Sequence, residues 1–216
     1  MNTTSKVAVI GLGNIGKVVA KNLVKGNREV ILASKNLEDA QYLASELGNL
    51  ATAATTLEAI KQADIVVLSV WFNTIKDFLT DYAAELKGKI IIDPSNPIAL
   101  DENGGFKKII GEKESAGQIL SALVPEGAKL AKALGTLGAA SLESAAFQSP
   151  ERAVAFYATD DADIRSEVEQ LIRDNGFDPI SVGGIDQSIR IEVFGDLHEF
   201  GALGKTVTAN EAKTKI

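Results

Sequence analysis

The residues best suited to chemistry are the glycines of Gly11-Leu12-Gly13-Asn14-Ile15-Gly16, which follow an apolar run ending at Ile10. Such a turn between a strand and a helix suits the diphosphate of a dinucleotide. The first glycine permits the tight turn, the second lets the backbone approach the phosphates, and the third lets the helix lie close to the strand. The helix also directs its partly positive amino terminus at the diphosphate. We therefore predict a dinucleotide-binding fold here, the alternative being an ordinary strand-helix turn.

The end of the second predicted strand, Ser34-Lys35-Asn36, bears on the choice between NAD and NADP. An NAD site usually has Asp or Glu here, which accepts hydrogen bonds from the ribose hydroxyls and would repel a 2′-phosphate. Ser34 and Asn36 instead offer hydrogen-bond donors, and Lys35 offers a positive charge. The sequence therefore favours NADP, although an arginine would indicate it more strongly because its planar fork pairs with phosphate oxygens. The alternative is that Lys35 is a solvated loop lysine.

Few residues are suited to acid–base catalysis. None of Tyr42, Tyr82 and Tyr157 is followed four residues later by lysine, so the Tyr-x-x-x-Lys pair of short-chain dehydrogenases is missing from the sequence. Because carbonyl reduction needs a proton donor, this disfavours alcohol and ketone substrates. Hydride transfer between a nicotinamide and a flavin-type ring needs little acid–base catalysis from the protein, because the cofactors carry out the reaction and the protein positions them. We identify no catalytic residue.

Other polar and aromatic residues have both a functional and a structural interpretation. His198, the only histidine, is either a proton donor near the acceptor or, as we favour, a structural residue at a helix end or subunit contact. Trp71 and Phe72 follow a predicted strand and either line a nicotinamide pocket or fill the core, and their position slightly favours the pocket. Lys132 and Arg190 either bind an anionic tail of an acceptor or are solvated charges.

Composition excludes several functional classes. The chain has 216 residues, a net charge of -7, 45% apolar and 24% charged residues, which is typical of a soluble globular protein. The negative charge argues against nucleic acid or an anionic membrane as a partner. Without cysteine and with one histidine, disulfides, thiolate sites and multi-histidine zinc sites are excluded. With neither a signal-peptide core nor an apolar run of about 20 residues, we expect a cytoplasmic protein without metal.

Strand and helix patterns alternate along the chain, which predicts a Rossmann-type, doubly wound α/β fold with a mostly parallel sheet. We see neither an internal repeat nor a linker, so we expect residues 1–216 to form a single NAD(P)-binding domain with a small C-terminal α/β extension from about residue 150. Residues 99–114 are predicted to be irregular and residues 205–216 to fray. Strands are predicted at 6–10, 29–33, 50–53, 64–70, 89–93, 129–134, 153–158 and 180–182. Helices are predicted after Gly16, after the cap Asn36, at 57–62, from 73 or 74 to 86, after the cap Ser115, at 161–175 and at 186–197.

Four stretches occur in the order found in a known family: Gly11 to Gly16, Ala33 to Lys35, Asp93 to Pro97, and Asp186 to Arg190. From residue 7 to about residue 205 the chain resembles the NADPH-dependent coenzyme F-420 reductases, or 8-hydroxy-5-deazaflavin:NADPH oxidoreductases. A related domain reduces flavin in the ferric reductases of animal membranes. The resemblance implies an NADP-dependent oxidoreductase that exchanges a hydride between NADPH and a small-molecule acceptor, either coenzyme F-420 or FMN or FAD. It also implies a homodimer.

The resemblance further implies where the cofactor binds. The diphosphate would lie on the glycine-rich turn and the 2′-phosphate on Ser34 and Lys35, while residues 69–72 and 95–97 would flank the ribose and nicotinamide. A flavin-like acceptor would stack on the nicotinamide, in a cleft covered by residues 132–138 and the C-terminal part. The predicted cofactor-binding residues are Gly11, Leu12, Gly13, Asn14, Ile15, Ser34, Lys35, Asn36, Ser69, Val70, Trp71, Ser95, Asn96 and Pro97.

One departure from the family concerns the acceptor. Relatives often have Lys-Ala-Phe-Asn-Thr, or a His-Thr pair, where this chain has Lys132-Ala133-Leu134-Gly135-Thr136. The missing aromatic and amide side chains leave the identity of the acceptor open. Two other functions also stay open: a reductase of a small imine or hydroxyacid, and a non-catalytic NADP(H)-binding sensor or regulatory subunit. The first is disfavoured because such families usually add a long helical C-terminal domain, for which few residues follow the last predicted strand.

Overall fold

The structure, a computed structural model, describes residues 5–102 and 104–216. Its strands are β1 Val7–Ile10, β2 Val30–Ala33, β3 Ala51–Ala53, β4 Ile65–Leu68, β5 Ile90–Asp93, β6 Ile98–Leu100, β7 Phe106–Lys108, β8 Lys129–Lys132, β9 Val154–Tyr157 and β10 Asp178–Ser181. Its α-helices are α1 Asn14–Lys25, α2 Leu37–Leu47, α3 Thr56–Gln62, α4 Phe72–Asp81, α5 Ala83–Leu86, α6 Ala116–Ser121, α7 Ala139–Ser144, α8 Arg165–Asp174 and α9 Ala209–Ala212. Two 3₁₀-helices lie at Ala162–Ile164 and Ile185–Arg190.

A six-stranded sheet in the order β3-β2-β1-β4-β5-β8 forms the centre, and every neighbouring pair is parallel. Every residue of β1, β2 and β4 is buried, which explains their unbroken apolar runs, because helices cover a parallel sheet on both faces. The order reverses between β1 and β4, and ligands of open α/β sheets bind at such a switch point. The predicted Rossmann-type fold is confirmed.

Two hydrophobic layers hold the helices against the sheet. On one face, Leu23 of α1, Leu142 of α7 and Leu171 of α8 pack with the side chains of β1 and β4 that point to that side. On the other face, Ile60 of α3 and Phe72 of α4 pack with the alternate side chains of the same strands. Burial on both sides fixes the register of the central strands, and with it the positions of the loops that follow them. Among the described residues, none of the helices has the length and apolar character needed to cross a membrane.

Local capping explains the predicted helix ends. The Asn36 side chain accepts a hydrogen bond from the Glu38 amide at the start of α2, and Gly48 follows its end with φ of 82°. Ser115 caps α6 in the same way through the Gln118 amide. These are the interactions that favour Asn and Ser before a helix and glycine after it. The long helix predicted to end at residue 86 is instead divided at Tyr82 into α4 and α5.

Three further sequence predictions are wrong. Residues 99–114 are not wholly irregular, because β6 and β7 form an antiparallel hairpin in which Ala99 lies opposite Lys107. The final helix does not reach residue 197, since the 3₁₀-helix ends at Arg190 and turns follow. Residues 205–216 do not simply fray: the Val207 carbonyl accepts a hydrogen bond of 2.8 Å from the Val154 amide, and α9 follows. The hairpin joins two strands of only three residues each, and the order of the C-terminal residues comes from the distant Val154; neither feature is encoded in a local pattern.

The part of the chain after residue 150 joins the main sheet at β8. Strands β9 and β10 pair in parallel, and Ala158 and Lys132 exchange backbone hydrogen bonds of 3.0 and 2.9 Å at the end of β8. The chain then turns back so that residues 191–200 lie over the carboxyl end of the sheet, where the Val193 amide donates to the Asn96 side chain. This return brings C-terminal residues to the ends of β4 and β5.

Candidate active site

The glycine-rich turn after β1 has a geometry that only glycine permits at two positions. Gly11 has φ of +89°, a backbone conformation that residues with a side chain rarely adopt. Its amide donates to the Ala33 carbonyl at 2.9 Å. A Cβ atom on Gly16 would lie 1.9 Å from the Gly11 carbonyl oxygen. The first and third glycines therefore shape the turn and let α1 pack against it.

The space around Gly13 differs from the space around Gly11 and Gly16. A Cβ atom placed on it would meet nothing within 4 Å, so the backbone faces open space. It precedes α1 without a side-chain cap, and the first turn of α1 contains no acidic residue. Because the first amides of a helix lack partners within the helix, this end of α1 offers donors and a positive dipole to an anion. The open cradle fits a diphosphate.

Beside this turn lies a cavity of about 450 Å³, a size typical of small-molecule sites. It occupies the carboxyl ends of β1, β4 and β5, where the fold places ligands. Eight of the predicted cofactor-binding residues line it: Gly13, Asn14, Ile15, Ser69, Val70, Trp71, Ser95 and Asn96. The sequence predictions did not name as cofactor-binding the remaining lining residues, Pro94, Ile98, Phe106, Leu137, Gly138, Ala139, Ala140, Val193, His198, Glu199 and Phe200.

The other six predicted residues lie outside the cavity lining. Gly11 shapes the turn, while Leu12 and Pro97 are buried. Ser34, Lys35 and Asn36 follow β2, and the hydrogen bond from Gly11 to Ala33 holds their loop beside the glycine-rich turn. Lys35 is exposed. The Asn36 side-chain oxygen caps α2 at 3.1 Å from the Glu38 amide, so its amide nitrogen is the end that can meet a phosphate. Their phosphate-binding role stays a prediction.

Two serine hydroxyls in the cavity wall are buried without a hydrogen-bond partner among the described residues. They belong to Ser69, directly after β4, and Ser95, shortly after β5. Buried polar atoms are nearly always paired, so an unpaired one calls for a physical explanation. A bound polar ligand in the cavity supplies one, because both residues line it. The two hydroxyls fit the ribose and carboxamide of a nicotinamide nucleotide, which offer matching donors and acceptors.

Asn96 ties three segments of the site together. Its side-chain nitrogen donates to the Gly135 carbonyl at 3.0 Å, and its side-chain oxygen accepts from the Val193 amide at 2.7 Å. Gly135 lies so close to the β5 loop that a Cβ atom on it would be 2.4 Å from the Pro94 carbonyl oxygen. The loop after β5, the loop after β8 and the C-terminal return are thereby fixed around the cavity. This agrees with the expectation that residues 132–138 and the C-terminal part lie over the cleft.

His198 is held in a neutral state by its surroundings. Its Nδ1 accepts from the Phe200 amide at 3.0 Å, so Nε2 carries the proton and donates to the Gly135 carbonyl at 3.0 Å. The residue is 1% exposed. Burial lowers its pKa from 6.5 to about 4, the Gly135 hydrogen bond opposing and the charge of Lys132 adding to this effect. Since both ring nitrogens are occupied, the structural interpretation of His198 is the better one, although its ring borders the cavity.

Three further candidates are explained by packing or ion pairing. Lys132 is 2% exposed, pairs with Asp93 at 2.8 Å and donates to the Ser95 carbonyl, so it does not bind an acceptor tail. Arg190 is held by Asp196 through two hydrogen bonds of 3.1 and 2.8 Å to the same carboxylate oxygen. Phe72 is buried in the core and is not part of the pocket. Trp71, by contrast, is 61% exposed and lines the cavity.

A buried carboxylate anchors the C-terminal return behind the cavity. Glu192 is 1% exposed, and its two oxygens accept from the amides of Ala116 and Gly117, each at 2.9 Å. Burial raises the pKa of Glu192, while the charge of Lys132 and the two amides oppose the rise. The sequence carries no local signal for this contact, which joins residues about 75 positions apart. It fixes the segment that supplies Val193, His198 and Phe200 to the wall.

Comparison with known proteins agrees with this geometry. Residues 6–97 match the family model described as NADP oxidoreductase, coenzyme F420-dependent. An F420-dependent NADP reductase of Methanothermobacter marburgensis is 28% identical over 200 residues, which cover 87% of this chain and 88% of that protein. A metalloreductase of Rattus norvegicus is 24% identical over 187 residues, which cover 87% of this chain. The chain spans only 36% of the length of that metalloreductase.

Similarity of structure extends over nearly the whole chain. A solved structure of a hypothetical protein from Sinorhizobium meliloti has a TM-score of 0.81 and 26% sequence identity. The match covers 95% of this chain and 96% of the other. The structural match therefore extends well beyond residues 6–97, the segment matched by the family model.

Proposed function

We propose that this chain, whose residues 6–97 match the coenzyme F420-dependent NADP oxidoreductase family, transfers a hydride between NADPH and a deazaflavin or flavin-type acceptor. The observation that carries this proposal is the cavity at the switch point of the sheet. It combines an open anion cradle at Gly13, two unpaired hydroxyls and an apolar wall. Such a site holds a nucleotide at one end and leaves room for a flat ring at the other.

The cradle and the loop after β2 support NADPH as the nucleotide. The amino end of α1 receives the diphosphate, and Ser34 with Lys35 receives the 2′-phosphate. Ser69 and Ser95 hydrogen-bond the ribose and the carboxamide, which turns the nicotinamide ring toward the aromatic wall. NADPH supplies the hydride from C4 of that ring, and the protein holds the ring in place.

Coenzyme F-420, FMN and FAD are the acceptor classes that the apolar half of the cavity suits. Trp71, Phe106 and Phe200 offer faces on which a planar ring can stack, and Leu137 and Val193 exclude water. The hydride carries two electrons to C5 of a deazaflavin or N5 of a flavin, and a proton from water reaches N1 of the ring. NADPH leaves as NADP⁺. Because the proton comes from water, no acid or base of the protein is required.

Anaerobic oxidation of NADPH in the presence of coenzyme F-420, FMN or FAD tests this function. We expect turnover with NADPH and much weaker activity with NADH. Charge reversal in Lys35→Glu should raise the Kd of NADPH by on the order of a hundredfold and that of NADH little, because the new carboxylate repels the 2′-phosphate alone. Lys61→Glu is the matched control. Lys61 is an exposed lysine near the end of α3, which lies at the amino-terminal ends of the strands, away from the loop that carries Lys35.

Equal weakening of both nucleotides by Lys35→Glu would contradict the 2′-phosphate assignment. Tight binding of NADPH without turnover of any acceptor would instead favour the non-catalytic sensor or regulatory subunit. Oxidation of NADPH only by a small imine, or reduction of NADP⁺ only by a hydroxyacid, would favour the other reductase class.

We also propose a homodimer, supported by the exposed aromatic residues around the cavity. Trp71, Phe106 and Phe200 line the cavity and are 61, 46 and 54% exposed, and Phe194, next to the lining residue Val193, is 52% exposed. Exposed apolar surface of this kind is typical of interaction sites. Light scattering should give twice the mass of one chain, and a monomeric mass would contradict the proposal.

A cytoplasmic location, supported by the lack of cysteine, and folding as one domain are further proposals. Cell fractionation and a single cooperative unfolding transition test them.

A further inference from the structure

A buried ion pair lies at the cavity end of the central sheet. Asp93 ends β5 and Lys132 ends β8, and the two residues are partners in the register of these parallel strands. Their side chains are 0% and 3% exposed, and Lys132 Nζ lies 2.8 Å from Asp93 Oδ2. The partners just before them, Ile92 and Ala131, are apolar. Because the desolvation of two buried charges offsets most of their attraction, stability alone does not explain this pair.

The ion pair holds Ser95 by both of its backbone groups. The Ser95 amide donates to Asp93 Oδ1 at 2.7 Å, and the Ser95 carbonyl accepts a hydrogen bond from Lys132 Nζ. Asp93 therefore binds the lysine with one carboxylate oxygen and the serine with the other. Hydrogen bonds to charged groups are stronger than those between neutral groups. The backbone is thus fixed on both sides of the Ser95 side chain.

The Ser95 hydroxyl takes no part in these contacts. It is buried without a hydrogen-bond partner among the described residues, and Ser95 lines the cavity. The next residue is also held, because the Asn96 side chain is bonded to Gly135 and Val193. The ion pair therefore satisfies the backbone of Ser95 and leaves its hydroxyl for a ligand in the cavity.

We infer that Lys132, together with Asp93, is a positioning residue that directs the Ser95 hydroxyl at the nicotinamide end of NADPH. The inference rests on the proposed function, in which this hydroxyl binds the ribose or the carboxamide, and it names the residues that hold the hydroxyl in place. Lys132 does not line the cavity, so it acts through Ser95. Its replacement should weaken binding of the nicotinamide end and leave binding of the adenine end as it is.

Lys132→Met tests the inference, because it removes the ammonium group and keeps an unbranched apolar side chain. The Kd of NADPH should rise by roughly three- to tenfold, the equivalent of one hydrogen bond between neutral groups. The Kd of adenosine 2′,5′-bisphosphate should stay unchanged, because this ligand has the adenine and the 2′-phosphate but lacks the nicotinamide and its ribose. A protein that had merely lost structure would bind both ligands less tightly.

A second variant removes both charges. Lys132→Met alone leaves the Asp93 carboxylate buried without its partner, which destabilises the fold. In Asp93→Asn/Lys132→Met no charge is left, and the new side-chain oxygen can still accept from the Ser95 amide. The Ser95 carbonyl still loses its donor, so the two Kd values should respond as they do in Lys132→Met.

A double-mutant cycle with Ser95→Ala tests whether Lys132 acts through the hydroxyl. Ser95→Ala alone should raise the Kd of NADPH by about the same factor. Adding Lys132→Met should then change this Kd little further, because no hydroxyl is left to direct. Lys129→Met is the matched control, since Lys129 lies at the other end of β8 and pairs with Asp163. It should leave both Kd values unchanged.

An NADPH Kd that neither variant of Lys132 changes overturns the inference and leaves the proposed function standing. Equal weakening of both ligands, effects that multiply in the cycle, or failure of both variants to fold also overturns it, because Lys132 would then only support the structure. The expected changes in Kd, in a protein that reduces no flavin or deazaflavin, support the inference while contradicting the proposed function.

Discussion

Replacing Gly13 by alanine separates nucleotide binding from folding. Gly13 has φ of -76° and ψ of -161°, which alanine adopts without strain, and a Cβ atom there meets no protein atom within 4 Å. The variant should therefore fold. Its free energy of unfolding should change by less than about 1 kcal/mol, because reduced flexibility of the unfolded chain offsets the slightly poorer helix start.

Binding should respond much more strongly. The new methyl group enters the space in which the diphosphate approaches the first amides of α1, and it removes at least one hydrogen bond to a charged oxygen. Such a bond contributes about 1.5–3 kcal/mol, so the Kd of NADPH should rise by roughly ten- to a hundredfold. The Kd of NADH should rise equally, because both nucleotides share the diphosphate.

Calorimetric titration with each nucleotide, beside thermal unfolding of the same samples, measures both effects. A folded Gly13→Ala protein that binds NADPH with unchanged Kd would refute the placement of the diphosphate. Loss of NADPH binding alone would also contradict it, since that pattern belongs to the 2′-phosphate site.

Two further predictions concern packing and pH. Gly16→Ala should lower the free energy of unfolding by about 2–3 kcal/mol, because its Cβ atom would lie 1.9 Å from the Gly11 carbonyl oxygen and α1 would have to move. Denaturant titration measures this change, and an unchanged unfolding midpoint would show that α1 does not pack tightly against the turn. His198 favours the folded state only when neutral, so its lowered pKa stabilises the protein above pH 6.5, and this contribution is lost as the pH falls toward about 4. Over that interval the free energy of unfolding should fall by about 3 kcal/mol more in the unmodified protein than in His198→Gln. Parallel profiles of this free energy against pH in the two proteins would contradict the buried, neutral ring.

The glycine-rich part of the cavity could be predicted from the sequence because its signals are local. The turn from β1 to α1 needs glycine at Gly11 and Gly16 for reasons of backbone geometry alone. Unbroken apolar runs mark strands that are covered on both faces, and Asn36 marks the start of α2 by its own hydrogen bond. Ser69 and Ser95 were implied by the family resemblance, and their positions agree with the rule that parallel strands present ligand-binding residues at their carboxyl ends.

The rest of the cavity wall could not be predicted in the same way, because it is built from short elements and from contacts between distant residues. The hairpin of β6 and β7 supplies Phe106, but its strands are short and lie among glycines and lysines that are typical of loops. Helix α7 is short and follows Gly138, so its pattern is too brief to recognise. Lys132 looks like a solvated charge in the sequence, and only the fold brings Asp93 to it.

The transfer of deuterium from NADPH labelled with two deuterium atoms at C4 to the deazaflavin ring of coenzyme F-420 tests the central claim most directly. Hydrogen at C5 of the reduced deazaflavin does not exchange with water, so mass spectrometry of the product reports its origin. Direct transfer in the cavity predicts one deuterium atom at C5 for each NADPH oxidised. A product without deuterium, or NADPH that stays unoxidised beside a bound deazaflavin, would contradict the account.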